Sequence, residues 1–343
     1  MSIRTDYVAG EVLPAADVNE VNAAVLALQY EHFGTGVDGA LSVPSGTVSI
    51  DCNNQSLVVK NYTTVNIAAG ATLNFINVPA AGVLFIMRTQ GNCTIAGKID
   101  LKGAGSQGGA GVTSTGTLPT SGSTSGNNGT TPYNHNNQTT RNGKSGSGSG
   151  GIGATTATGG SGGANAFNGA SSVSGGGAAT SGLTDQLFKI LAAFGIVVGP
   201  GAGGGSGGAA FATDAAIGTL SASSGDAGDG GGGLLVLCGG TLAFTGEIDL
   251  SGTDAAAGTH TYSPNGSPPP AWSWAAVARG GSGGGASGIG LLLARELGTL
   301  TGTKTVNGGL KSSGAAAKGG TGTATGSDGT DGAAGVIEIG VTA

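Results

Sequence analysis

Charge is scarce in this chain. Lys, Arg, Asp and Glu make up 9% of 343 residues, against about 25% in an average globular sequence. Aromatic residues stand at 4%, with two Trp, and there are three His and three Cys. Each shortage excludes a class of function. The few Lys and Arg are scattered and the net charge is −6, so there is no basic footprint for nucleic acid. Cys52, Cys93 and Cys238 lie far apart and form no CxxC pair. They predict neither a zinc site nor a complete disulfide framework, and read as buried thiols. With only His32, His135 and His260, a Ser-His-carboxylate site has little to draw on. No GxSxG elbow sits between a strand and a helix. The glycines of 201–208 are not followed by Lys-Ser/Thr, which excludes a phosphate-binding loop. The chain is therefore expected to be no enzyme and to hold no metal or cofactor. The longest apolar stretch, Leu187 to Val198, contains Lys189 and is too short to span a bilayer. Met1 to Asp6 lack an apolar run, so synthesis in a cytoplasm without a Sec-type leader is expected.

Glycine is abundant instead, at 74 residues, against an average near 7%. Its spacing is irregular and there are only ten Pro, which excludes collagen. Hydrophobic residues at 38% with a mean hydropathy of +0.15 exclude a charged disordered chain. Glycine buries no side chain and loses the most backbone entropy on folding. Such a chain needs extensive backbone hydrogen bonding, a repeated lattice or partner chains. A structural or fibrous assembly follows.

Four segments stand out: 1–36, 37–102, 103–233 and 234–343. In the first, Pro14 suits the first turn of a helix. Val18, Val21, Val25 and Leu28 then form a short heptad-like stripe, and Gly34 and Gly36 end it. A stripe this short must pack on something, either its own domain or a small bundle of copies. As an attachment and oligomerisation segment it would use those four residues. Segment 37–102 has short β-branched runs, among them 47–51, 56–59 and 64–67, punctuated by Gly70 and Pro79. These read as strands.

An internal repeat is the strongest signal. Residues 82–105, 232–254 and 288–311 each open with glycine and an apolar run: Leu84 to Met87, Leu234 to Leu237, Leu291 to Leu293. A second strand follows, ending at Gly97, Gly246 or Gly302. A third strand reads Ile99-Asp100-Leu101, then Ile248-Asp249-Leu250, then Thr303 to Val306. A shortened copy, 335–340, closes the chain. These are strand-turn-strand units that stack and share an apolar face, as a solenoid or as antiparallel sheets. Each unit is followed by a glycine-rich excursion, the longest being 103–233. Two readings stand: a flexible linker, or extended three-fold glycine chains pairing backbone to backbone. Low charge and frequent Ala favour the second. Residues 183–198 interrupt it with an apolar helical stripe that reads as a packing helix. The expected fold is mainly β: a repetitive strand-turn-strand body, a glycine-rich polyproline-II-like lattice and a short N-terminal helix.

Asp226/Asp229 and Asp328/Asp331 read as Asp-Gly turns, since neither pair has the further carboxylates that calcium needs. Asp100 and Asp249 recur at one repeat position, which points to a structural role. Recognition has better candidates. Tyr133 and His135 lie in one polar insertion. His260, Tyr262, Trp272 and Trp274 lie in another, with Pro268 to Pro270. Such residues combine rigid contact area with adaptable hydrogen bonds, although both Trp would serve equally well as packing under a loop.

The phrase Tyr7-Val8-Ala9-Gly10-Glu11-Val12-Leu13-Pro14-Ala15-Ala16-Asp17-Val18-Asn19 resembles the leader of many tailed-phage tail fibre and appendage proteins, with Pro14 at a position usually held by Thr. The glycine-rich tracts alternating with polar loops resemble phage fibre-tip adhesins with a polyglycine sandwich. These resemblances imply a virion protein exposed at the tail and made in the host cytoplasm. They imply a homotrimer that contacts other tail proteins and binds a host surface receptor, a glycan or an outer-membrane protein; the placement of Tyr133, His135, His260, Tyr262, Trp272 and Trp274 makes these the expected contacts. A filament or sheath subunit without a receptor is the main alternative. A polysaccharide-cleaving spike and an ice-binding lattice are further ones.

Overall fold

The computed structural model describes residues 33–116, 121–130, 148–151, 154–157, 198–213, 218–264, 274–320 and 323–341. The fold is mainly β, with several sheets. The chain first lays down β1 (Leu41–Val43), β2 (Thr47–Asp51), β3 (Leu57–Tyr62), β4 (Val65–Ile67), β5 (Thr72–Ile76), β6 (Leu84–Thr89), β7 (Cys93–Ile95) and β8 (Lys98–Asp100). It then leaves this body through β9 (Thr113–Gly116), β10 (Ser121–Thr124), β11 (Gly148–Gly151), β12 (Ala154–Ala157), β13 (Ala209–Thr213) and β14 (Gly218–Ser223). It returns through the long β15 (Gly233–Phe244) and β16 (Glu247–Asp249) and leaves again through β17 (Thr259–Pro264) and β18 (Trp274–Arg279). A second return makes β19 (Ile289–Leu300) and β20 (Thr303–Thr305); a third excursion holds β21 (Ala315–Gly320) and β22 (Thr323–Gly326) before β23 (Val336–Val341).

Strands from 37–102 and from 234–343 share sheets. An eight-stranded sheet runs β1-β4-β7-β15-β19-β23, with β3 and β6 joining at β15; a five-stranded sheet runs β2-β5-β8-β16-β20. Every pairing in these two sheets is parallel. The antiparallel arrangement left open by the sequence is thus not the one adopted. Parallel register brings like residues into columns. Val48, Leu73, Ile99 and Ile248 are successive partners. So are Val43, Ile67, Ile95, Phe244 and Leu300. The three repeat glycines mark one stacked corner. A methyl group at Gly97 would strike the carbonyls of Ala68 and Ala71, at Gly246 the carbonyl of Gly97, and at Gly302 the ring of Phe244.

The apolar runs are continuous because their strands are covered on both faces. Phe85, Met87, Leu234, Val236 and Leu292 face the main core. Leu84, Ile86, Leu235, Leu237 and Leu291 face the other way and pack with Phe33 and Val198.

Between body and outer strands run the glycine-rich segments 105–112, 125–130, 199–208, 224–232, 251–258, 280–288, 306–314 and 327–335. They form neither helix nor β-ladder, yet they are hydrogen-bonded throughout. The amides of Ser224, Ala227 and Gly230 donate to the carbonyls of Val112, Gly109 and Ser106. Those of Gly280, Gly283 and Ala286 donate to Gly208, Gly205 and Ala202, and those of Gly281, Gly284 and Ser287 to Ser327, Thr330 and Ala333. The period is three residues, where a β-ladder has two. Segment 280–288 bonds to five neighbours, through Gly228, Gly208, Thr253, Gly309 and Thr330. A sheet strand has two. Only chains without Cβ atoms at the contacts approach on that many sides. A methyl group on Gly228 would meet the carbonyl of Thr253, and one on Gly284 that of Gly309.

Polar side chains fill the remaining places. The amides of Gly108 and Gly111 donate to Asp229 and Asp226, at 2.8 and 2.7 Å. Those of Lys311 and Gly314 donate to Asp331 and Asp328. The acidic pairs are therefore not turn formers. Their three-residue spacing matches the lattice, and each carboxylate takes an amide of the adjacent segment. Buried Ser106, Ser224 and Ser312 hydroxyls likewise accept amides of Gly203, Val112 and Ser282. The described parts of 103–233 are thus bonded lattice and outer strands, not linker. The N-terminal helix and the helix expected over 183–198 lie outside the described residues, apart from Val198.

Gly284→Ala is expected to destabilise the protein by about 1–3 kcal/mol, the usual cost of overpacking. Gly199, where an added methyl meets nothing within 4 Å, is the control, with a change for Gly199→Ala within about 0.5 kcal/mol. Thermal unfolding of the two variants checks this; equal melting temperatures contradict the close-packed lattice.

Candidate functional site

The segments 105–112, 199–208, 251–258 and 306–314 leave the body. Four others, 125–130, 224–232, 280–288 and 327–335, run back, as their antiparallel bonding shows. Beyond the lattice the chain forms three smaller sheets: β10-β13-β18-β21, β17-β14-β9 and β11-β12-β22. A small core of Ala209, Phe211, Leu220, Ala222 and Val277 holds the first two of these together. The strand ends flanking 117–120, 214–217, 265–273 and 321–322 all belong to these sheets. These strand ends therefore lie on the far side of the lattice from the body.

His260 and Tyr262 lie on β17, an edge strand, paired with Ala222 and Leu220 of β14. His260 is exposed. Trp274 opens β18, opposite Gly320 of β21. The structure thus places three of the six candidate recognition residues on the two strands that bracket 265–273. Tyr133, His135 and Trp272 lie outside the described residues, as do Val18, Val21, Val25 and Leu28.

A neighbouring feature is not anticipated by the sequence. On β9, β14 and β17 the register aligns Thr113 with Ser223 and Thr259, and Thr115 with Ser221 and Thr261. The Thr113 hydroxyl donates to Ser223 Oγ at 3.0 Å, while Ser114, Leu220 and Ala222 are buried on the opposite face. The signal is the alternation Thr-Ser-Thr, Ser-Ala-Ser and Thr-His-Thr. It is masked by the Ser and Thr background of 103–233. The result is a neutral, hydroxyl-bearing face on one side of this sheet, with His260 and Tyr262 at register positions of the other, in line with Ala222 and Leu220.

The body holds the most concentrated charge. Lys98 Nζ lies 3.1 Å from Asp249, 3.4 Å from Asp100 and 3.8 Å from Glu247. Parallel register creates the cluster by setting Lys98 beside Glu247 and Asp100 beside Asp249. Asp100 and Asp249 each accept the amide two residues on, from Lys102 and Ser251. This fits the structural role read from their recurrence. Burial opposes ionisation of Asp249, but hydrogen bonds from Ser251 and Lys98 outweigh it and hold the carboxyl below its ordinary value. Burial likewise opposes the charge on Lys98. The bond to Asp249 and the charges of Asp100, Asp249 and Glu247 outweigh it and raise its pKa. Among the described residues no group of three His, Cys, Asp or Glu could hold a metal ion. The three thiols are free and buried. Burial, helped by Asp51, pushes Cys52 up to about 11 and also raises Cys93 and Cys238.

Comparison with protein-family models, curated proteins and solved structures finds no match.

Two measurements probe these groups. Asp249→Asn is expected to cost about 1.5–3 kcal/mol near neutral pH, towards the lower end because Lys98 is partly open to water. The depressed carboxyl stabilises the fold above its unfolded pKa of about 3.9. That contribution is lost as pH falls through the folded value, so the two melting curves converge in acid. A gap that stays constant down to acid denaturation contradicts the ion-pair account. All three cysteines are expected to resist a thiol reagent in the native protein and to react fully in denaturant.

Proposed function

We propose that the chain is a tailed-phage tail fibre or appendage protein that binds a host surface receptor through its outer end. The observation that supports this reading is that the three outer sheets lie together at the far end of a close-packed glycine support. A close-packed spacer with its outer sheets together at one end suits display at a distance from an anchorage. In this reading the parallel columns of the body are turns of a β-solenoid. The three-residue bonding period is that of glycine chains in the polyproline II conformation. Residues 1–36 join the virion or other tail proteins, and the chain works as a homotrimer. The receptor, a glycan or an outer-membrane protein, is held by many weak contacts multiplied by copy number. The chain does no catalysis and needs no cofactor.

His260, Tyr262 and Trp274, with Trp272, form the contact set at the outer end; Tyr133 and His135, which follow Thr130 on the body side, would form a second contact away from it. The purified chain is expected to block adsorption of its parent virion to host cells. A His260→Ala/Tyr262→Ala/Trp274→Ala variant is expected to keep its native mass and melting temperature and to lose at least about tenfold in blocking, the effect of roughly 1.4 kcal/mol. Full blocking by the variant removes these residues from the site. If the wild-type chain fails to block while variants alter only assembly, a filament or sheath subunit is the better reading.

A further inference from the structure

We infer that Lys304 is a stop that prevents one copy of this chain from stacking end to end on another. The inference is independent of receptor binding. Among the described residues the parallel body has an unpaired edge at each end: β1, β2 and β3 at the first, and β20, β23 and the second half of β19 at the last. Unpaired strand edges template further pairing. The two ends here carry the same repeat, so the last turn of one copy would continue in register onto the first turn of the next. A head-to-tail contact of this kind does not close and grows into a filament.

Side-chain exposure shows the same opening. Leu300 tops the column of Val43, Ile67, Ile95 and Phe244. Leu297 pairs with Leu242, which in turn tops Cys93 and Val65. Both Leu297 and Leu300 are core positions, yet each is 38% exposed; at the opposite end Val48 is 36% exposed, while Val43, which begins the Leu300 column, is buried.

One column breaks the pattern. Val48, Leu73, Ile99 and Ile248 lead to Lys304, so the last turn places an ammonium where every earlier turn has an aliphatic side chain. Its Nζ donates to the carbonyl of Ile337 at 3.1 Å. β20 and β23 belong to different sheets, so the lysine crosses the end of the core from one sheet to the other. There it satisfies a carbonyl of an edge strand. A second copy seated on this end would set its own Val48 over Lys304 and bury the charge against an apolar column. Burying an unpaired charge carries a severe penalty. An inward-pointing lysine on an edge is a known means of blocking edge-to-edge association.

The test compares the full-length wild type with Lys304→Val by sedimentation and light scattering over a range of concentrations. The wild type is expected to keep one mass. The variant is expected to form multiples of it, with at least about a doubling of weight-average mass. Adding Val48→Lys to the variant is expected to restore the wild-type mass, because the contact needs both ends. The inference is overturned by a folded Lys304→Val chain that keeps the wild-type mass, by multiples that persist in the double variant, or by a wild type that itself grows end to end. If Lys304→Val does not fold, Lys304→Met, which keeps the length of the side chain, takes its place: growth in mass supports the stop, and an unchanged mass overturns it.

Discussion

The structure depends on how backbone amides are satisfied where there is almost no side chain to bury. A glycine segment contributes little hydrophobic stabilisation and surrenders much entropy. Its one asset is the absence of Cβ, which lets neighbouring backbones touch on several sides. Segment 280–288, bonded to five neighbours, shows the limit of that geometry. Ser and Asp appear where a carbonyl is out of reach, and they accept the remaining amides. The penalty for an unpaired buried amide thus dictates both the composition of these segments and the placement of their few polar residues.

The body solves the problem that the lattice cannot. Glycine contacts are nearly uniform along a segment and specify register weakly. The parallel strands at their feet carry that information in apolar columns and in the Lys98 cluster. Each excursion leaves from one body strand and returns to another: β8 to β15, β16 to β19, β20 to β23. Body pairing therefore fixes which glycine segments are neighbours. The outer sheets close the far end with a small core of their own.

Much of this was legible in the sequence. The repeat of apolar run, glycine corner and third strand located β6 to β8, the two halves of β15, β16, β19 and β20. Those positions combine periodicity with a glycine that a close neighbour requires, a carbonyl at Gly97 and Gly246 and the Phe244 ring at Gly302. The parallel direction was not legible, because strand runs do not encode the sense of their partners. The acidic pairs were misread because Asp-Gly has a strong turn preference. Their three-residue spacing means something different inside a three-fold chain. Of the recognition residues, sequence placed His260, Tyr262 and Trp274 near one connection. It could not show that β17 and β18 enter different sheets, nor that Thr113 and Thr259 flank the same strand. Lys304 escaped because its meaning lies in the column beneath it, which exists only once the strands are in register.

Amide hydrogen exchange across the glycine segments tests the central claim most directly. The account predicts that the donor amides of Gly228, Gly231, Gly283 and Gly284 are as strongly protected as those of the body strands, since both open only with the fold. Exchange of those amides at the rate of a free peptide, with the body still protected, would show that the glycine segments are linkers and that the support for the outer end does not exist.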